Sequence, residues 1–205
     1  MGGYFALRGA ADPRVKACVS VDPFYSLWEF ASARLPGPVV TLWTNGWLPD
    51  TGLDAMARAA RYVSPFQSRW EFEMSKWMFG VERPTEVFRR VMQFTFGGGP
   101  VKEVDGGKGP DEYLHRIKCP VLVTGAGQSL YFKVRNTTQR IYDRLVNVRP
   151  EDKEIWLPME GGLGGLQAKI GAFGMAQMKT FAFLDQKFGI KRGAGGPKGS
   201  ASSTS

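Results

Sequence analysis

The opening of the chain narrows the available folds more than any other stretch. Met1 to Ala11 (MGGYFALRGAA) passes from two glycines into Tyr4, Phe5 and Leu7 at helical spacing, and Asp12-Pro13 closes the segment. An apolar run follows at once, Val15 to Val21 (VKACVSV), and ends at Asp22-Pro23. A glycine entry, an apolar helix, a short acidic turn and a buried strand make half of a helix–strand unit of a parallel sheet. Strands of such sheets read as unbroken apolar runs because helices cover both faces.

Two later runs extend the pattern. Ile117 to Gly125 (IKCPVLVTG) is a second continuous apolar strand, and Glu154 to Pro158 (EIWLP) is a third, short one. Val15–Val21, Val121–Thr124 and Glu154–Leu157 are therefore expected as neighbouring parallel strands. Between the last two, Asn136 to Val146 reads as an amphipathic helix with Ile141, Tyr142 and Leu145 on one face. Leu166 to Phe188 reads as a long closing helix stopped by Gly189.

The middle of the chain, from Phe24 to Ile117, has another character. It holds Trp28, Trp43, Trp47, Trp70 and Trp77, five of the six tryptophans. Helical patterning recurs in Leu53–Tyr62, Phe66–Phe79 and Thr85–Phe94, while Pro36, Pro49, Pro65 and Pro84 mark helix boundaries. No strand-like alternation of useful length interrupts it. The expected organisation is a core segment over residues 1–22, a helical cap over 23–117, the rest of the core over 118–190 and a disordered Gly/Ser/Lys tail over 191–205. The Gly/Pro-rich stretch from Gly97 to Pro110 reads as a linker or hinge.

Composition removes several function classes. The content is 43% hydrophobic and 13% aromatic, which supplies a sizeable core for one domain with an inserted subdomain. Cys18 and Cys119 are far apart in apolar contexts, so the reading is buried thiols in a reducing, cytoplasmic setting rather than a disulfide framework or a metal site. One histidine cannot build a histidine-based metal cluster. No signal peptide and no run of ~18 apolar residues is visible, so no membrane association is expected. The formal charge of +8 comes from Lys and Arg scattered among acids, without a basic helix or an RNA-binding signature. Nucleic acid is accordingly not expected as a partner.

The phrase GGYFALRGAADPRVKACVSVDPFY, with IKCPVLVTG and GGLQAKIGAF…FLDQKFGI in the same order, resembles fungal α/β hydrolases of the FUS2 type. These are relatives of the heptaketide hydrolases and the dihydroxypseudooxynicotine hydrolases. The resemblance implies the C-terminal half of an α/β-hydrolase fold, three parallel strands with a large helical cap insertion. The motif G-x-S-x-G carries the nucleophile of that fold on a strand-to-helix turn. With Gly2 as its last glycine, the serine would stand one position before Met1. The expectation is thus a chain truncated just after the nucleophile elbow, either from a misplaced start or from a broken gene. With half the fold missing, apolar faces would be uncovered.

Acyl transfer needs a serine activated by a histidine that a carboxylate orients. The usual acid position, after the seventh strand, is Gln128 here. Some members of the fold carry the acid after the sixth strand, and there the chain has Asp22, the candidate catalytic residue; a turn aspartate before Pro23 is the alternative. The loop after the last strand, Pro158 to Gly165, has no histidine, and its one titratable group is Glu160. His115 precedes the seventh strand, on the wrong side of the sheet. Tyr25, Trp28 and Trp77 are the candidate substrate-binding residues of an aromatic ceiling, against the alternative that cap aromatics merely pack the cap on the body. The resemblance implies a hydrolase of polyketide-type secondary metabolism, hydrolysing or cyclising a bulky apolar substrate, with no cofactor and no metal, and it leaves a homodimer open. The alternatives are an inactive relative that binds an apolar ligand or a protein, and a basic adaptor without a small-molecule site.

Overall fold

Three strands meet side by side: β1 (Cys18–Val21), β2 (Val121–Thr124) and β3 (Lys153–Trp156). A computed structural model describes residues 1–32, 35–97, 112–129 and 133–191. The order is β1-β2-β3 and both pairs are parallel, with Cys18 opposite Val121 and Val121 opposite Lys153. All four residues of β2 are buried, as a central strand covered on both faces requires. The expected three parallel strands are present, with the third beginning and ending one residue early. The linker and tail expectations fall on residues outside the described ones beyond Gly97 and Lys191.

Helix α1 (Gly2–Gly9) lies against β1, and Gly3 is what lets it do so. A Cβ on Gly3 would collide with the Val21 carbonyl oxygen and come within 3.1 Å of the Pro23 nitrogen, whereas one on Gly2 would meet nothing within 4 Å. The buried Ser20 hydroxyl donates to the Gly3 carbonyl at 2.8 Å, so the helix start and the strand are also hydrogen-bonded. Tyr4 and Leu7, one helical turn apart, enter the main core with Phe24, Phe96, Val121 and Ile141. The Tyr4 ring stacks on Phe24 at 4.7 Å between centroids.

Between β1 and β2 the described elements are helices, apart from an isolated antiparallel bridge of Ser26 with Thr95: α2 (Leu27–Ser32), α3 (Gly37–Thr44), α4 (Asp50–Ala60), α5 (Phe66–Phe79), α6 (Pro84–Met92) and the short α7 (Glu112–His115). A second apolar cluster of Trp43, Leu53, Phe88 and Met92 holds these helices together. Helix α6 starts where the sequence says it should. Pro84 occupies its first turn, Glu86 accepts from the Arg83 N–H at 3.2 Å, and the buried carboxylate of Asp54 accepts from the Thr85 N–H at 2.9 Å. Val87, Phe88, Val91 and Met92 then face inward at helical spacing.

Helix α8 (Thr138–Arg144) joins β2 to β3, and α9 (Phe173–Phe188) follows β3. The closing helix starts at Phe173 rather than Leu166, because Ala168, Lys169 and Gly171 all take positive φ and cannot continue a helix. Gly189, left-handed at φ 65°, ends it as expected. Near its end Lys187 reaches Asp152 at 3.0 Å; that hydrogen bond, with help from Arg149, holds the Asp152 carboxyl below the usual carboxylate range. Large apolar side chains stay exposed on α5 (Trp70, Trp77, Met78) and on α9 (Phe173, Met178, Phe181). Among the described residues no helix is long and apolar enough to cross a membrane.

The contrast between the two opening glycines is directly testable. Gly3→Ala should lower the stability of the chain by about 1–3 kcal/mol, as overpacking against backbone does, while Gly2→Ala should leave the urea midpoint unchanged or raise it. Equal midpoints for the two variants would remove the close approach of α1 to β1.

Candidate functional site

Asp22 stands at the carboxyl end of β1, where sites of open parallel sheets gather. Its N–H still donates to the Thr124 carbonyl at 3.0 Å, so the strand pairing holds it in place while its backbone turns to φ 45°. Oδ2 accepts the Ala168 N–H at 2.6 Å and Oδ1 accepts from Lys169 Nζ at 2.8 Å. The same Nζ donates to the Gly125 carbonyl at 2.7 Å and lies 5.3 Å from the centroid of the Trp156 ring. The ammonium therefore touches groups at or just beyond the carboxyl ends of all three strands. Both side chains of the ion pair are buried, at 2% exposure for Lys169 and 8% for Asp22.

The backbone marks the same place. Among the described residues, the non-glycine positions with positive φ are Asp22, Ala168 and Lys169, at 45°, 53° and 59°. All three belong to this one contact. Left-handed backbone at such residues costs on the order of 1–3 kcal/mol each and persists only where the surroundings over-determine it. Here a buried ion pair, two hydrogen bonds to Asp22 and one to Gly125 supply that determination.

The other residues singled out in the sequence fall elsewhere. Gln128 is exposed, with its N–H donating to the Gly165 carbonyl at 2.8 Å, so the loop after β2 is clipped to the loop after β3. Glu160 is exposed in that second loop and its carbonyl accepts from Leu163 and Gly165. His115 ends α7 on the amino side of β2, where its carbonyl accepts from the Asn147 side chain at 2.6 Å. Among the described residues no His, Cys, Asp and Glu group of three could hold a metal ion. Burial pushes the Cys18 thiol up to about 12, which makes it a packing residue and not a nucleophile.

A cavity of about 450 Å³ opens among α2, α4, α5 and α6. Leu27, Phe30, Phe72, Met78, Phe79 and Phe88 line it, and Met1 closes one side. Met1, the residue before α1, stands in its wall, and Asp22 does not. Tyr25, Trp28 and Trp77 are not brought together and are not in its wall. Tyr25 is fully buried under the Arg140 guanidinium, 3.6 Å from its ring centroid. Trp28 packs on Trp43 at 5.9 Å between ring centroids, and Trp77 is 80% exposed. Lys169 was not foreseen as a site residue. Its signal was a lone charge within Leu166-Gln-Ala-Lys-Ile-Gly-Ala-Phe173, an otherwise apolar segment.

Comparison with known proteins decides the kinship. An α/β hydrolase of Aspergillus fumigatus, psoB, is 48% identical over 193 residues, covering 94% of this chain and 41% of its own length. The chain is a relative of the fungal α/β hydrolases. Hydrolase ORFZ of Pyricularia oryzae is 45% identical over 94% of this chain and 42% of its own, and hydrolase ffsE of Aspergillus flavipes is 41% identical over 94% and 40%. The chain thus spans about two fifths of the length of these fungal hydrolases. No family model matches it. An esterase of Pyrococcus furiosus overlays with a TM-score of 0.42 at 16% identity, over 88% of this chain and 48% of the esterase.

The ion pair makes a specific prediction about stability. Lys169→Met or Asp22→Asn alone leaves an uncompensated buried group and should cost about 3–5 kcal/mol in urea denaturation at neutral pH. The double variant should cost clearly less than the two losses added, since the partners share one interaction. Additive losses would show that the two side chains act separately.

Proposed function

We propose that this chain carries the acid-bearing sheet and the helical cap of a hydrolase of fungal secondary metabolism, acting on a bulky, largely apolar, polyketide-like substrate. The observation that carries the reading is the aromatic cavity enclosed by the helices between β1 and β2, with Met1 in its wall. Its volume is in the range that holds a drug-sized molecule, of roughly 300–1,000 Å³. The names of the relatives support the reaction class: an α/β hydrolase and two hydrolases. In this reading residues 23–117 form the cap and residues 1–22 with 118–190 the core. Two free thiols suit a reducing, cytoplasmic setting.

Asp22 is the carboxylate of the proposed site. In serine hydrolases the acid orients the histidine and stabilises the imidazolium that forms when the serine is deprotonated. A carboxylate offers about four lone-pair positions, and Asp22 commits two of them, one to the Ala168 N–H and one to Lys169. The remaining capacity is free for an imidazole N–H. Lys169 and Ala168 would then hold the carboxylate in place and aimed, a positioning role. Within these 205 residues the strand serine Ser20 donates to the Gly3 carbonyl, and the sole histidine stands at the opposite end of β2. Acyl transfer by these residues alone is not part of the proposal.

The test is a graft. The matched 193 residues replace their counterpart in the Aspergillus fumigatus hydrolase, and the product is assayed with chromogenic short-chain esters and a fluorophosphonate probe. The grafted enzyme should label and turn over. Asp22→Asn within it should lower kcat by roughly 10³–10⁴-fold, the loss typical of a triad acid. A graft that labels stoichiometrically yet keeps its kcat with Asp22→Asn would contradict the assignment of the acid.

A further inference from the structure

The charge around the cavity is not evenly paired. Its apolar wall is flanked by Arg61, Arg69, Glu71 and Glu73. Glu73 is shared by two cations, Arg61 at 3.5 Å and Lys76 at 3.1 Å. Glu71 accepts from the Gln67 side chain at 3.0 Å. Arg69, on the first half of α5, has no ion-pair partner among the described residues. Of the two guanidinium groups at the cavity wall, that of Arg61 faces Glu73, and that of Arg69 is left to a ligand or to water.

Given the reading of the cavity as a substrate site, on which this inference rests, we infer that the cavity is selective for an amphiphilic monoanion. Such a molecule has an apolar body that fills the Phe30, Phe72 and Phe88 region and a single carboxylate, or an equally acidic oxygen acid, at Arg69. A planar guanidinium presents its N–H groups in a fork that matches a carboxylate in two-point geometry, which an ester or an alcohol cannot reproduce. The apolar wall explains why a small polar anion would not suffice: it removes little apolar surface from water and leaves the aromatic lining exposed. Arg61 contributes less, because Glu73 already faces it.

The probes are dodecanoate and its methyl ester, both held below the concentration at which they self-associate, titrated calorimetrically into the full 205-residue chain at low and high salt. Dodecanoate should bind roughly tenfold tighter than the ester at low salt, the scale of a charge-assisted contact at a partly exposed site. That advantage should shrink at high salt, vanish in Arg69→Gln and survive largely in Arg61→Gln. Equal affinity for the two probes, or an advantage that Arg69→Gln leaves intact, overturns the anion selectivity while sparing the cavity. Binding of neither probe to folded protein overturns the substrate-cavity reading as well. Dodecanoate binding that needs self-associated lipid overturns the inference in favour of a lipid surface.

Discussion

The ion pair of Asp22 with Lys169 is the interaction on which the arrangement at the carboxyl edge depends. Short parallel strands are held laterally by only a few hydrogen bonds each, and their ends would splay without a tie beyond the last paired residue. Here the tie is a single ammonium. It binds the residue after β1, the carbonyl after β2 and the face of the last residue of β3. Burying such a pair is favourable only when its geometry and further hydrogen bonds repay the lost hydration. The Gly125 carbonyl and the Ala168 N–H are those further bonds. The left-handed turn at Ala168 and Lys169 brings the ammonium inward, and the same turn delays α9 to Phe173.

Around that tie the molecule separates two kinds of chemistry. The carboxyl edge gathers charge at Asp22 and Lys169, paired with each other and buried. The helices between β1 and β2 enclose an apolar space and place cations at its flank. Gly3 lets α1 descend on β1, and Met1, just before that helix, stands in the cavity wall.

Local patterns were legible in the sequence, and long-range partnerships were not. Unbroken apolar runs announced β1 and β2, and helix α5 begins after Pro65 and ends where its pattern puts it, because these signals are carried within a few residues. Asp22 was visible as the residue that closes an apolar strand. Its partner was not, since 147 positions separate Asp22 from Lys169, and a lone lysine in an apolar segment does not say which carboxylate it meets. The apparent helix from Leu166 looked continuous because Ala, Lys and Leu all favour helix; a tertiary ion pair overrode that preference at Ala168 and Lys169. Tryptophans were equally ambiguous. Trp28 packs within the helical layer, Trp77 faces solvent, and phenylalanines line the cavity instead.

The central claim is that Asp22 and the Ala168–Lys169 turn form one locked unit. Hydrogen exchange of the Ala168 amide reports on it directly, because that N–H lies in a single 3₁₀ turn, outside any α-helix or strand ladder, and donates to Asp22 Oδ2. The account predicts protection close to that of the amides of β2, which open only when the whole sheet does. Exchange at the rate of a free loop amide, with β2 still protected, would contradict it.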